Sequence, residues 1–181
     1  MEPCSKIQVK QPSGFFKLGN TYCLSIQGEV YICIGPDWPY NFCLGSIVFG
    51  ANLFFLLIMA PQVDILMQYI GLFIYMTSMI SYIITALKNP GIIFNHWEIE
   101  LEETSNNKNY CKECSVVIEK DSEHCYECQV CIRGYDHHCP LSGKCIGSGN
   151  LIPFYIFLVS IFCGIFYVFI WIFLVAASRR A

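Results

Sequence analysis

Three stretches of the chain carry no charged residue: Trp38 to Val63, Ile65 to Leu87 and Cys145 to Ser178. A helix needs about 20 apolar residues to cross about 30 Å of hydrocarbon, so each stretch has room for one span. Runs such as LFFLLIMA and FYVFIWIFLVAA show no polar face at helical period, which a helix of a soluble bundle would keep. The pattern predicts membrane helices over Phe42 to Ala60, Ile65 to Leu87 and Ile152 to Ala177. Ahead of them, Thr21 to Ile26 and Glu29 to Ile34 alternate apolar and polar residues on either side of Gln27-Gly28. That alternation predicts a small β-hairpin near the membrane surface. Pro36, Trp38, Pro39 and Tyr40 mark the entry into the bilayer.

Composition agrees with a membrane protein. Of 181 residues, 55% are hydrophobic and 14% charged, and the mean hydropathy of +0.47 is too high for a soluble domain of this size. A net charge of -3 and a pI near 5.8 leave no basic surface for phosphate backbones, so nucleic acid is not an expected partner. Lys6, Lys10 and Lys17 precede the first span, which argues against a cleaved signal peptide. Six more cations, Lys88, Lys108, Lys112, Lys120, Arg133 and Lys144, lie in the loop between the second and third spans. The positive-inside rule therefore puts the N-terminal segment and this loop in the cytosol, and three spans carry Arg179 and Arg180 to the other side. The expected fold is a mainly α membrane protein in five parts: a cytosolic segment 1–41 with the hairpin, two transmembrane helices within 42–87, a cytosolic Cys-rich domain 88–151, a third transmembrane helix 152–177 and a tail 178–181.

The Cys-rich loop holds the chemistry. Seven of the twelve cysteines fall between Cys111 and Cys145, together with His124, His137 and His138. In a reducing compartment such a cluster points to metal binding rather than disulfides. Adding fourteen to Cys111, Cys114, His124 and Cys131 gives Cys125, Cys128, His138 and Cys145. The same Cys-x2-Cys-x9-His-x6-Cys spacing thus occurs twice in overlapping register, and predicts two interleaved Cys3His zinc sites. The metals would supply the folding free energy of a loop too small for its own core.

Two donors are left over, His137 and Cys139, on either side of His138. A third step of fourteen reaches Cys139, but Ser142 and Ile152 then stand where ligands would be, so no third metal site can form. Pro140 biases Cys139 toward extended backbone, and residues two apart on an extended segment share a face. His138 then turns to the metal and His137 to Cys139. A thiol beside an imidazole base is a plausible nucleophile, and Asp136 would orient the imidazole if a local turn brings the two neighbours together. The plainer reading is an Asp that caps a turn and a Cys that is buried and inert.

Asp136-His137-His138-Cys139-Pro140, set in a Cys-rich loop between the second and third spans, resembles the DHHC protein S-acyltransferases, or palmitoyltransferases. Cys145-Ile146-Gly147 and Asn150 extend the resemblance, Asn89-Pro90-Gly91 resembles the family's Asp-Pro-Gly element, and Gly19-Asn20 and Gly35-Pro36-Asp37 are similar to the pre-span segment of some members. The resemblance implies an acyl-enzyme mechanism in which Cys139, activated by His137 and Asp136, takes a long-chain acyl group from acyl-CoA and passes it to cysteines of protein substrates. It further implies two structural zinc ions, contact with membrane lipid, and residence in the endomembrane system (Golgi or ER) or plasma membrane with the zinc domain facing the cytosol. Leu141 stands where the family usually has Trp, and Lys144 where it usually has Asn. The family has four spans and this chain three. It is therefore expected to be truncated, completed by a partner chain that replaces the fourth helix, or a catalytically silent, membrane-anchored zinc module that binds proteins. Lys144 and Arg133 are candidates for the phosphates of coenzyme A, or else solvated surface charge.

Overall fold

The computed structural model describes residues 13–27, 29–59, 64–94 and 110–178; Cys4, most of the Pro61–Asp64 connection, and Arg179 and Arg180 lie outside them. Strands β1 (Gly14–Leu18), β2 (Thr21–Ile26) and β3 (Glu29–Ile34) form an antiparallel sheet in that order. The expected hairpin is thus two-thirds of a three-stranded sheet. β1 escapes a reading by alternation because Phe15 and Phe16 are adjacent apolar residues on opposite faces, one exposed and one packed inward.

The first apolar helix, α1, begins at Trp38, four residues ahead of its expected start, because Pro39 fits the first turn of a helix as readily as it fits a loop. It covers Trp38–Phe54 and runs on as π-helical turns over Phe55–Met59. Helix α2 spans Ile65–Leu87, its first turn capped by Asp64, whose carboxylate accepts from Leu66 N at 2.7 Å. Helix α3 spans Leu151–Ser178. With 22, 23 and 28 residues these helical runs are about 33, 35 and 42 Å long, enough to cross a membrane.

Small and aromatic residues join the helices, as expected where lipid and side chains are equally apolar. Gly71 is buried against Tyr167: a Cβ there would lie 2.6 Å from the Tyr167 hydroxyl oxygen, which instead donates to Met67 O at 3.0 Å. Ser78 and Ser160 hydrogen-bond across α2 and α3 at 2.7 Å, and Phe55 meets Trp171 edge-on at 5.1 Å.

The Cys-rich segment folds as three ribbons: β4 (Tyr110–Cys111) with β5 (Val116–Val117), β6 (Glu123–Cys125) with β7 (Val130–Ile132), and β8 (His137–Cys139) with β9 (Lys144–Ile146). It is anchored on the helices. Asn89-Pro90-Gly91 ends α2 and turns it onto the sheet: Asn89 Oδ1 accepts from Gly91 N and Ile92 N, and Asn89 N donates to Tyr31 O. Fully buried Asn150, at the foot of α3, donates to Thr85 O in α2 and Cys145 O in β9. Cys23, Cys33, Ile92, Cys125, Val130, Ile132 and Cys145 share one core, so the N-terminal sheet is packed into the Cys-rich unit.

Candidate functional site

The fourteen-residue repeat reappears in the backbone. Ser115, Gln129 and Gly143, fourteen apart, all have positive φ of 54°, 56° and 77°, in the turns that close the three ribbons. Each turn follows a Cys-x-x-Cys or Cys-x-x-Ser sequence, so all three ribbons are built on one plan.

In the first two ribbons the plan gathers metal donors. Cys111, Cys114, His124 and Cys131 place their donor atoms within 4.8 Å of one another, as do Cys125, Cys128, His138 and Cys145. Each group takes two thiols from one ribbon's turn and a cross-strand His–Cys pair from the next, since His124 faces Cys131 and His138 faces Cys145 in register. His124 Nδ1 lies 3.6, 3.2 and 3.8 Å from Cys111, Cys114 and Cys131 Sγ, and His138 Nδ1 lies 3.5, 3.4 and 3.6 Å from Cys125, Cys128 and Cys145 Sγ. Ligands of a tetrahedral zinc, at about 2.3 Å for sulfur and about 2.0 Å for nitrogen, would be about 3.6 Å apart. The donor sets therefore fit a tetrahedral ion, and neither leaves a position open. Crowding of the thiols has its own electrostatic signature: hydrogen bonding from Cys128 and Cys145 pulls Cys125 far down, while Cys128 is pushed up to about 12 chiefly by its bond to Cys125.

The third ribbon is held differently. Ser142 replaces the second thiol and uses its hydroxyl to donate to Cys139 O and Lys144 O within its own turn. The turn is gripped from outside by the helices: Leu141 O accepts from Asn41 Nδ2 and, at 3.2 Å, from the Tyr82 hydroxyl, while Gly143 O accepts from Asp37 N at 3.2 Å. Cys139 belongs to neither donor group and is 5% exposed.

β8 puts His137 and Cys139 on one face and His138 on the other, as alternation along a strand requires. Asp136 lies just outside the strand, after a turn at Gly134 with φ +56°, and that offset lets neighbouring side chains meet. His137 Nδ1 is 2.7 Å from Asp136 Oδ2. A carboxylate only accepts, so Nδ1 carries a proton and, in the neutral ring, Nε2 is the nitrogen that can accept one. The pair is nearly half exposed, and Phe154 at the start of α3 packs on the His137 ring at 5.5 Å. His138 makes a matching contact on the other side, Nε2 to Asp37 Oδ2 at 2.7 Å. Burial works against a charged His138 ring, but the Asp37 and Cys125 contacts outweigh it and raise its pKa.

Lys144 is neither a phosphate contact nor a solvated charge. It is 1% exposed, and its Nζ donates to Cys33 O at 2.5 Å and Lys88 O at 2.7 Å, bracing β3 and the end of α2 against β9. Arg133 is exposed and pairs with Glu119 at 3.0 Å. Sequence reasoning missed Asp37, Asn41 and Tyr82. Asp37 stood in a Gly-Pro-Asp element that marked only a pre-span segment, and the other two gave no local signal. Residues 104–180, which contain every donor and Cys139, match the family model described as DHHC palmitoyltransferase. No curated protein matches the chain.

Proposed function

Residues 104–180 match the DHHC palmitoyltransferase family model, and on that premise we propose that the chain is a protein-cysteine S-acyltransferase of this family working through a thioester on Cys139. The observation that carries the reading is the Asp136–His137 hydrogen bond of 2.7 Å on the same face of β8 as a thiol that neither metal-donor group uses. His137 Nε2 takes the Cys139 proton, and the thiolate attacks the carbonyl carbon of a long-chain acyl-CoA. The carbon–sulfur bond to coenzyme A breaks, and the leaving thiolate recovers the proton from the imidazolium that Asp136 stabilises. In the second half-reaction a substrate protein's cysteine gives its proton to His137 and displaces Cys139 from the acyl group.

The two donor groups hold zinc ions with a structural role, since four protein ligands leave no site for substrate. The zincs clamp successive ribbons together, and so set the foundation from which β8 presents Cys139. An apolar hollow of about 300 Å³ lined by Asn41, Phe42, Gly45, Phe49 and Tyr82 adjoins the Leu141 carbonyl and supports delivery of an apolar chain to this point. The charge pattern supports a Cys-rich domain on the cytosolic side, and the family resemblance supports an endomembrane or the plasma membrane.

A clickable palmitoyl-CoA tests the reading. Label on the wild type that hydroxylamine removes and that Cys139→Ser never acquires, with zinc content unchanged, is the expected result. The 5% exposure of Cys139 favours a second reading, a silent membrane-anchored module that recruits partner proteins through its zinc ribbons. Absence of label from a wild type with both zincs would favour that alternative.

A further inference from the structure

The two metal-site histidines are equivalent in the repeat and differ in their second nitrogen. His124 Nε2 is buried and has no hydrogen-bond partner among the described residues. His138 Nε2 is 2.7 Å from the carboxylate of Asp37, which comes from the turn before α1, 101 residues away. Asp37 stands at the N-cap of α1, where an Asp ordinarily accepts from the helix's own N–H groups, yet its side chain makes no capping bond. Its backbone N–H meanwhile donates to Gly143 O, so backbone and side chain grip both faces of the β8–β9 ribbon.

A carboxylate on the outer nitrogen fixes the tautomer and ring orientation of a ligating imidazole and raises its basicity. We propose that Asp37 is a positioning residue for the metal held by Cys125, Cys128, His138 and Cys145, and makes that site the slower of the two to release its ion. This rests on the metal reading above. The asymmetry suits the chemistry: His138 is the direct neighbour of Cys139, so the site under the nucleophile is the reinforced one. The first span is thereby tied to the nucleophile's ribbon through the metal-site histidine itself.

The test uses the full chain in detergent or nanodiscs, loaded with zinc, with release followed by a colorimetric chelator alongside far-UV circular dichroism. Wild type should release two zincs in two phases. Asp37→Ala should speed the slow phase by about 10- to 100-fold and leave the fast one alone. Asp37→Asn, which keeps an accepting oxygen, should fall between. Cys111→Ser, which removes the first site, should retain only the slow phase, and the double variant with Asp37→Ala should lose it. Unchanged release from Asp37→Ala overturns the proposal. So does equal acceleration of both phases or loss of helix signal, since a merely structural contact would act in that way. A wild type that binds no second zinc overturns the metal reading itself, and is told apart by stoichiometry before any kinetics.

Discussion

The side-chain nitrogen of Asn41 lies 2.6 Å from the hydroxyl oxygen of Tyr82, and both groups also reach the carbonyl of Leu141. This contact joins α1, α2 and the turn that follows Cys139. In the first two ribbons the equivalent turn supplies thiols to a group of four donors that fits a metal ion; in the third, polar side chains from two helices do the holding.

Tyr82→Phe removes the phenol that donates to Asn41 O and Leu141 O while keeping the ring. Hydrogen bonds between membrane helices contribute about 0.6–1.7 kcal/mol, so the protein should stay folded. The acyl-enzyme rate should fall several-fold with both zincs retained. Asn41→Leu should be worse, because it takes away both of its own side-chain bonds. Single-turnover labelling with palmitoyl-CoA and zinc analysis on the same sample would show it.

Ser142→Cys restores the Cys-x-x-Cys of the other two turns. The introduced thiol should capture Cys139. Under oxidised glutathione, mass spectrometry of alkylated protein should find a disulfide between Cys139 and the introduced thiol, and acyl labelling of the variant should be lost and then recovered with a thiol reductant. In the wild type the same treatment should stop at the mixed disulfide of Cys139 with glutathione, seen as the added mass of one glutathione, since Ser142 has no thiol to resolve it.

Metal removal should separate the two halves of the molecule. The ribbons share short strands and a small core, whereas each helix satisfies its own backbone. A strong chelator is expected to release two zincs per chain, expose thiols to alkylation and abolish labelling, while the helical circular dichroism signal largely persists. Lowering the pH should do the same as thiolates are protonated off the metal.

Lys144 gives a pH dependence of definite sign. Burial pulls its pKa down from 10.5 to about 8. Between those values the unfolded chain binds more protons than the folded one, so the cost of burying the ammonium is fully present below about pH 8 and fades as pH rises toward 10.5. Lys144→Met deletes the dependence and leaves two buried carbonyls unpaired, at about 1–3 kcal/mol each. Wild type should therefore gain about 5 °C in melting temperature relative to the variant between pH 8 and pH 10.

Solvent and spacing were written into the chain directly. Three uncharged runs must be helices if they cross hydrocarbon, because only a helix satisfies its own backbone there, and the helices found at Trp38–Met59, Ile65–Leu87 and Leu151–Ser178 occupy those runs. The eight candidate metal donors were equally legible, since chance rarely repeats four ligand positions at a constant step of fourteen, and the structure brings each set of four together. How the third ribbon is held became visible only in the folded chain. Asp37, Asn41 and Tyr82 act across 101, 100 and 59 residues of sequence, and contacts of that kind leave no period or motif. Lys144 shows the same limit from the other side: a cation reads as surface from sequence, because the two carbonyls that make its burial tolerable come from Cys33 and Lys88, and only folding brings them to one point.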